Sequence, residues 1–166
     1  MIACAERVSV IICAYTEDRW LELLAAVQSV RQQTAPPHEI IVVIDHNPAL
    51  LARARAHLPQ VSVVENHQPR GLSGARNSGL AIASGDIIAF MDEDAIAAPD
   101  WLAQLIGHYT DPHVLGVGGA IEPRWEPTGP ADKPGWFPDE FAWVVGCTYR
   151  GLPATTHRVR NLIGCN

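Results

Sequence analysis

Short apolar runs alternate with stretches of helical periodicity through most of this chain. The runs are rich in β-branched residues, as in strands that are covered on both faces of a sheet. They cover residues 8–15, 39–44 and 61–65, together with a run that starts after Gly85 and ends at three consecutive acids. Between the runs, apolar residues at helical spacing predict helices over residues 20–33, 48–57 and 74–83, and Pro99 fits the first position of another.

This order of elements predicts an α/β fold. Strands that are joined through helices form a parallel sheet with right-handed crossovers, and the helices cover both faces. Ligands of such sheets bind beyond the carboxyl ends of the strands. We therefore expect the polar residues that follow three of the strands to converge at one edge of the sheet. These residues are Tyr15, Asp45, Asp92, Glu93 and Asp94.

Beyond the acids the pattern becomes weaker. Residues 114–121 predict one further strand, in which three glycines would allow close backbone approach. Residues 122–138 contain five prolines and several aromatic side chains, which indicates a loop over the site and not a linker to a second domain. We therefore expect a single domain over residues 1–166.

Composition narrows the class of protein. The chain has 166 residues, of which 48% are hydrophobic, and a formal net charge of −6, which is typical of a folded globular domain. The net negative charge and the lack of a Lys or Arg cluster argue against nonspecific binding to nucleic acid. The four cysteines lie far apart, which predicts reduced thiols and neither a zinc site nor disulfides. The apolar run at residues 8–15 is too short to span a membrane, so we expect a cytoplasmic protein, either free or at the periphery of a membrane.

The acidic cluster after the fourth strand is the strongest candidate for chemistry. Carboxylate oxygens at a sheet edge could hold a hard divalent cation such as Mg²⁺ or Mn²⁺, with water and phosphate oxygens in the remaining positions. Such a cation would neutralise charge on a departing diphosphate. The alternatives are a solvated acidic turn or a helix cap, and the cap is disfavoured because Pro99 marks the helix start several residues after Asp94.

A glycine-rich stretch, residues 71–79, lies at the start of the third helix. Free N–H groups at a helix start could receive phosphate, and an ordinary loop-to-helix turn is the alternative. The stretch is not G-x-G-x-x-G, and Leu80 stands where a Walker A loop requires Lys. At the strand ends, Tyr15 could stack on a base and Asp45 could accept a hydrogen bond from a base N–H, although each alone is more often an ordinary loop residue.

Taken together, these segments resemble the family-2 glycosyltransferases, the nucleotide-sugar-dependent enzymes with the GT-A fold. Their order and approximate spacing agree over residues 8–106. The matching segments are residues 8–15, 39–45, 75–79, 83–86, 90–95 and 99–102. The resemblance implies a GT-A-type, Rossmann-like sheet that is mostly parallel, and a nucleotide-sugar-binding domain that is incomplete at its C-terminus.

The resemblance also implies which residues contact the donor, a nucleotide-diphosphate sugar. It implies that Cys13, Tyr15 and Asp45 line the nucleotide base. It implies that Arg76 lies near the diphosphate. An acceptor hydroxyl of a sugar, a lipid or another molecule would displace the nucleoside diphosphate from the anomeric carbon with inversion, in the manner of a hexosyltransferase.

For the acidic cluster, the resemblance implies that Glu93 and Asp94 face the ribose, the diphosphate and a Mg²⁺ or Mn²⁺ ion. Asp94 matches the metal-binding acid of the family most directly. Asp92 is the member of the cluster that we expect to be least directly engaged. In this family the metal stabilises the leaving group while a carboxylate deprotonates the acceptor.

The carboxylate that would deprotonate the acceptor is not evident in the sequence. Family members carry it in a second half, usually as the Asp of a Glu-Asp pair. No such pair follows the acidic cluster here, Asp139-Glu140 has the reverse order, and residues 160–166 resemble the lead-in to the acceptor half. We therefore expect a chain that stops before its catalytic base and that binds donor without transferring sugar by itself.

Two alternative functions stay open from the sequence. One is a non-catalytic nucleotide-sugar-binding module that needs a partner chain. The other is a nucleotidyltransferase, since such enzymes also use metal-bound acids on related α/β sheets. A nucleotidyltransferase predicts a glycine-rich loop with a cation close to the first strand, and residues 16–19 contain no glycine.

Overall fold

The computed structural model of the chain describes residues 7–125, 133–148, 151, 155–159 and 162. These residues belong to two compact units, the first ending at Leu115 and the second beginning at Gly116. The first unit contains a four-stranded sheet and its flanking helices. The second contains a 3₁₀ helix, Asp139–Val145. Every residue that the sequence places at a donor or metal site lies in the first unit.

Strands and helices alternate through the first unit as the sequence predicts. The strands are β1 (Val8–Ala14), β2 (Glu39–Ile44), β3 (Ser62–Glu65) and β4 (Ile87–Asp92). The helices are α1 (Trp20–Arg31), α2 (Pro48–His57), α3 (Leu72–Leu80) and α4 (Trp101–Ile106), with a 3₁₀ turn at Glu17–Arg19. Among the described residues, none of the helices has the length and apolarity that crossing a bilayer requires.

The sheet has the order β3-β2-β1-β4, and all neighbouring strands are parallel. After β3, which is the outer strand on one side of the sheet, the chain therefore crosses to the other side, where β4 is the outer strand next to β1. In the register of the sheet, Ala14 lies opposite Ile44, and Cys13 lies opposite Asp92. The carboxyl ends of β1, β2 and β4 consequently share one edge, which confirms the expected convergence of the strand ends.

Strand β1 is buried on both faces because its side chains alternate between two apolar clusters. Val10 and Ile12 pack in the cluster that contains residues of α1, α2 and α4, whereas Ile11 packs with Ala75 of α3. The three β1 side chains are at most 1% exposed. Burial of an aliphatic side chain of this size contributes roughly 1.5–3 kcal/mol. The expected arrangement of helices on both faces is confirmed.

Near the amino ends of β1 and β4, a partly exposed polar network joins β1 to the turn that precedes β4. Glu39 Oε1 accepts hydrogen bonds from Ser9 Oγ at 2.7 Å and from the backbone N–H of Ser84 at 2.7 Å. Ser9 Oγ in turn accepts the N–H of Gly85 at 2.8 Å. A Cβ atom at Gly85 would lie 2.6 Å from the backbone nitrogen of Ser9, so only glycine allows this approach. The network fixes where β4 begins relative to β1.

The predicted strand over residues 114–121 was wrong. Residues 115–121 form no regular secondary structure, and the side chain of Leu115 is 96% exposed. At the end of this segment the backbone N–H of Ile121 donates to Thr148 Oγ1, and its carbonyl accepts the N–H of Thr148. Glycine weakens a strand because it adds no side chain to pack and loses more backbone entropy than other residues.

Helix α3 packs so closely on the sheet that its Gly79 leaves no room for a side chain. A Cβ atom there would lie 2.7 Å from Ile11 Cγ2 and 3.0 Å from Val43 Cγ2, and both of these side chains are buried. We expect Gly79→Ala to lower the free energy of unfolding by about 1–2 kcal/mol, because the overlap outweighs alanine's better helix propensity. Urea unfolding measures this difference. Gly135→Ala is the control, since nothing lies within 4 Å of a Cβ atom there; equal losses in both variants would contradict the packing argument.

Candidate functional site

The acidic cluster lies where β4 ends, and its three side chains differ in exposure. The Asp92 and Asp94 side chains are 37% and 48% exposed. Glu93, which lies between them, is buried, with only 4% of its surface exposed. The two aspartates therefore present carboxylates to solvent, while the glutamate lies within the protein.

Arg76 reaches the cluster from α3. Its guanidinium lies over the ring of Phe90, 5.2 Å from the centroid, and its Nη2 atom is 3.4 Å from Asp92 Oδ1. Phe90 and Asp92 both belong to β4, so two side chains of the same strand hold the Arg76 guanidinium. Arg76 thus supplies a positive charge on one side of the cluster.

Arg19 supplies a second positive charge on the other side. Its Nη1 atom lies 2.9 Å from Asp94 Oδ2 and 3.4 Å from Glu93 Oε1. The guanidinium is also 5.9 Å from the centroid of the Tyr15 ring, a weak cation–π contact. Arg19 ends the 3₁₀ turn that follows β1, so this contact links the end of β1 to the end of β4.

Glu93 is an unusual carboxyl because its burial is only partly compensated. Burial raises the pKa of Glu93 to about 7, against the opposing effects of the Arg19 charge and the backbone N–H of Tyr15. Its Oε2 atom is buried without a hydrogen-bond partner among the described residues. An uncompensated buried oxygen of this kind carries a desolvation cost, so Glu93 depends on Arg19 for its stability in the charged form.

Asp45, at the end of β2, is the centre of a hydrogen-bond network. Its Oδ1 atom accepts from Asn66 Nδ2 at 2.6 Å and contacts His46 Nδ1 at 2.8 Å, and its Oδ2 atom accepts the N–H of Gly71 at 2.9 Å. Burial by itself raises the pKa of Asp45, but the hydrogen bonds from Asn66, His46 and Gly71 outweigh it and hold the pKa below its usual value. The side chain is therefore a charged acceptor that ties the 66–71 loop to the sheet.

The start of α3 depends on this contact with Asp45. Gly71 has φ +125° and ψ 167°, a conformation that is open almost exclusively to glycine, and it precedes the helix directly. The helix begins at Leu72, two residues earlier than the sequence indicates, and the N–H of Ala75 donates to the carbonyl of Gly71. A cavity of about 350 Å³ lies beside this turn, lined by residues 68–74 and Asn77.

Cys13 occupies the penultimate position of β1, opposite Asp92. Burial raises the pKa of the Cys13 thiol to about 12, and nearby carboxylates add to this effect while Arg76 opposes it. The thiol stays protonated at neutral pH, so it lacks the thiolate that nucleophilic attack or metal ligation requires. Cys13 can line a binding surface but does not supply reactive chemistry.

The carboxylate oxygens at the strand ends suit a hard divalent cation that also binds phosphate oxygens of a bound molecule. Within the part of the chain that the structure describes, no three His, Cys, Asp or Glu side chains are grouped closely enough to hold a metal ion by themselves. Mg²⁺ and related cations are usually held by one or two carboxylates plus phosphate oxygens and water. Asp92 and Asp94, with partly exposed oxygens, fit that requirement, whereas the buried Glu93 fits it less well.

Two residues that sequence reasoning did not assign to the site contribute to it. Arg19 contacts two of the three acids, and Asn66 is 2% exposed and joins Asp45 to Ser78, whose hydroxyl donates to Asn66 Oδ1 at 2.7 Å. The available signal for Asn66 was its position directly after β3, at the same edge as the other strand ends. For Arg19 it was the presence of a cation in the loop that also carries Tyr15.

Comparison with known proteins shows extensive sequence similarity. The family model described as glycosyl transferase family 2 matches residues 9–165. A glucosyl-dolichyl phosphate glucuronosyltransferase from Haloferax volcanii is 37% identical over 164 residues, which are 96% of this chain and 51% of that protein. A pre-mycofactocin glycosyltransferase from Mycobacterium tuberculosis is 38% identical over 61 residues, which are 37% of this chain and 13% of that protein. The chain spans about half, or less, of the length of the curated relatives that it matches.

A solved structure agrees with the observed fold. A mannosyltransferase from Pyrobaculum calidifontis in complex with GDP-Man and Mn²⁺ matches 74% of this chain and 36% of that chain, with a TM-score of 0.54 and 27% sequence identity. This similarity, together with the parallel sheet and its flanking helices, confirms the expected GT-A-type α/β fold.

The hydrogen bonds of Asp45 predict a pH-dependent effect on stability. In Asp45→Asn an amide N–H₂ replaces one acceptor, so we expect the free energy of unfolding to fall by about 1–3 kcal/mol at neutral pH. Because the folded pKa of Asp45 is lowered, the stability that it contributes is present above the unfolded pKa and is lost as pH falls through the folded pKa.

Urea unfolding at neutral pH and at about pH 2.5 measures this effect. The difference in free energy of unfolding between the wild type and Asp45→Asn should be smaller at the acidic pH. Glu22→Gln removes a carboxylate on the exposed face of α1, and it serves as the control. A difference between wild type and Asp45→Asn that stays constant with pH would contradict the account of Asp45 as a charged acceptor.

Proposed function

Because this chain belongs to glycosyl transferase family 2, we propose that its first unit binds a nucleotide-diphosphate sugar at the carboxyl ends of β1, β2 and β4. The protein to which this unit belongs would transfer the sugar to an acceptor hydroxyl with inversion. The observation that carries the proposal is the pair of partly exposed carboxylates, Asp92 and Asp94, flanked by Arg76 and Arg19 at the carboxyl ends of the strands of a parallel sheet.

We propose that the nucleoside lies beside the ends of β1 and β2. The Tyr15 side chain is 51% exposed there and offers a face on which a base can stack. Cys13 would contribute apolar surface. Asp45 already receives several hydrogen bonds from the protein, so it would orient the 66–71 loop and would offer the base its remaining lone pairs.

We propose that the guanidinium of Arg76 binds the diphosphate of the donor. Its guanidinium is held by Phe90 and Asp92, and planar guanidinium groups bind phosphate oxygens in a bidentate manner. Asp94, together with Asp92, would bind Mg²⁺ or Mn²⁺. The buried Glu93 would stabilise the conformation of the segment that carries these two carboxylates. When bound, the metal would offset negative charge on the departing diphosphate.

The comparisons favour sugar transfer over nucleotidyl transfer, since the similar proteins are named as glycosyltransferases. The name of the Haloferax volcanii relative motivates a glucuronosyl donor and a glucosylated lipid phosphate as the first donor and acceptor to assay. A chain that binds donor without turnover remains part of the proposal, because no residue of the described site is assigned as the base. We further propose a cytoplasmic location, either free or at the periphery of a membrane, with which the free thiols of the two described cysteines, Cys13 and Cys147, are compatible.

Asp94 provides the direct test of donor binding. Calorimetry with UDP, GDP and dTDP in Mn²⁺ should show that the wild type binds at least one of them, and Asp94→Asn should weaken that binding by about tenfold or more, because a metal-ligating charge is lost. Asp86→Asn is a matched control, since Asp86 is also an exposed acid, 53% against 48%, but pairs with Arg7 near the other end of β4. Absence of binding by the wild type, or equal binding by Asp94→Asn, would overturn the proposal.

A further inference from the structure

We propose that Arg19 is an internal counter-ion that occupies the metal-binding carboxylate of the donor-free protein and competes with the divalent cation for it. This inference rests on the proposed donor site and adds to it a residue that must move when the metal binds. Arg19 would not be a metal ligand, and it would stabilise the carboxylates only while no metal is bound.

The contact between Arg19 and the cluster is made by one nitrogen atom. Nη1 lies 2.9 Å from Asp94 Oδ2 and 3.4 Å from Glu93 Oε1, so a single positively charged group bridges the two carboxyls. The distance to Asp94 is that of a charge-assisted hydrogen bond. A carboxylate oxygen that accepts a hydrogen bond from this N–H has less electron density and less space available for a metal ion.

The charges around the cluster indicate why a counter-ion is needed. Three consecutive acids meet two arginines, Arg76 beside Asp92 and Arg19 beside Asp94 and Glu93. Carboxylates at adjacent positions repel one another, and a buried carboxylate such as Glu93 pays a further desolvation cost. Arg19 reduces both costs while no metal is bound.

The position of Arg19 allows it to leave the cluster. Its side chain is 43% exposed, and it belongs to a short 3₁₀ turn on the surface, so the guanidinium can rotate towards solvent without opening the core. A divalent cation on Asp94 would repel a guanidinium held against the same carboxylate. Metal binding and the Arg19–Asp94 contact therefore oppose one another.

The test compares Mn²⁺ binding to the donor-free protein in Arg19→Gln and the wild type. We expect Arg19→Gln to bind Mn²⁺ roughly three- to tenfold more tightly by calorimetry, because a competing positive charge has been removed at a partly exposed site. Arg53→Gln is the matched control. Its side chain is 41% exposed, it pairs with Glu17 and it lies over the Trp20 ring, so it removes the same charge outside the cluster.

A merely structural ion pair would give a different result. Arg19→Gln would then lower the melting temperature and leave Mn²⁺ affinity equal to that of the wild type, or weaker. Either outcome in Mn²⁺ affinity overturns the role of Arg19, as does an equal increase in Arg53→Gln.

A second measurement uses the wild type and does not depend on the folding of a variant. Titration with Mg²⁺, followed by NMR of ¹⁵N-labelled guanidinium groups, should shift the Arg19 Nε–H signal, which Arg19→Lys identifies by its absence, and should leave the Arg53 signal in place. An unmoved Arg19 signal at saturating Mg²⁺ contradicts the competition.

The two proposals fail separately. If the wild type binds none of UDP, GDP and dTDP while Arg19→Gln still binds Mn²⁺ more tightly, the donor site is wrong and the competition stands. If the wild type binds one of these nucleotides and Arg19→Gln leaves Mn²⁺ affinity unchanged, the donor site stands and the competition is wrong.

Discussion

The candidate site depends on the placement of β4 beside β1. The hydrogen bonds that Glu39 and Ser9 make to the turn at residues 84–85 fix this placement at the amino ends of the strands. Since parallel strands advance by a constant rise per residue, a start that is fixed there determines where β4 ends. Asp92 consequently lies opposite Cys13, and the three acids reach the edge at which β1 and β2 also end.

Once the strands are in place, charge compensation organises the edge. Three segments each contribute a cation or a hydrogen-bond donor: the 3₁₀ turn after β1 contributes Arg19, the 66–71 loop contributes the hydrogen bonds to Asp45, and the helix α3 that follows this loop contributes Arg76. Each of these segments contacts an acid at, or directly after, the carboxyl end of a strand. The same carboxylates that would bind a metal and a donor therefore also hold the loops of the metal-free protein.

Much of the fold could be predicted from the sequence because local patterns determine it. The bounds of β2 and α2 agree with their apolar periodicity, and the order of elements is sufficient for a parallel sheet. The strand predicted at 114–121 was wrong, since three of its eight residues are glycines, which weaken a strand, and the local apolar pattern does not show this. The contacts of Arg19 and the hydrogen bonds of Asp45 could not be predicted, since they depend on the three-dimensional path of loops that no local pattern encodes.

The most direct measurement maps where a nucleotide binds. In two-dimensional ¹H–¹⁵N NMR spectra of the wild type, addition of Mg²⁺ with whichever of UDP, GDP and dTDP binds should shift the backbone amides at the ends of β1, β2 and β4. The largest shifts are expected at residues 13–19, 45–46 and 92–94. Shifts confined to amides that line the cavity at residues 68–74, or to amides around Ser9 and Ser84 at the amino ends of the strands, would contradict a donor site at the carboxyl ends.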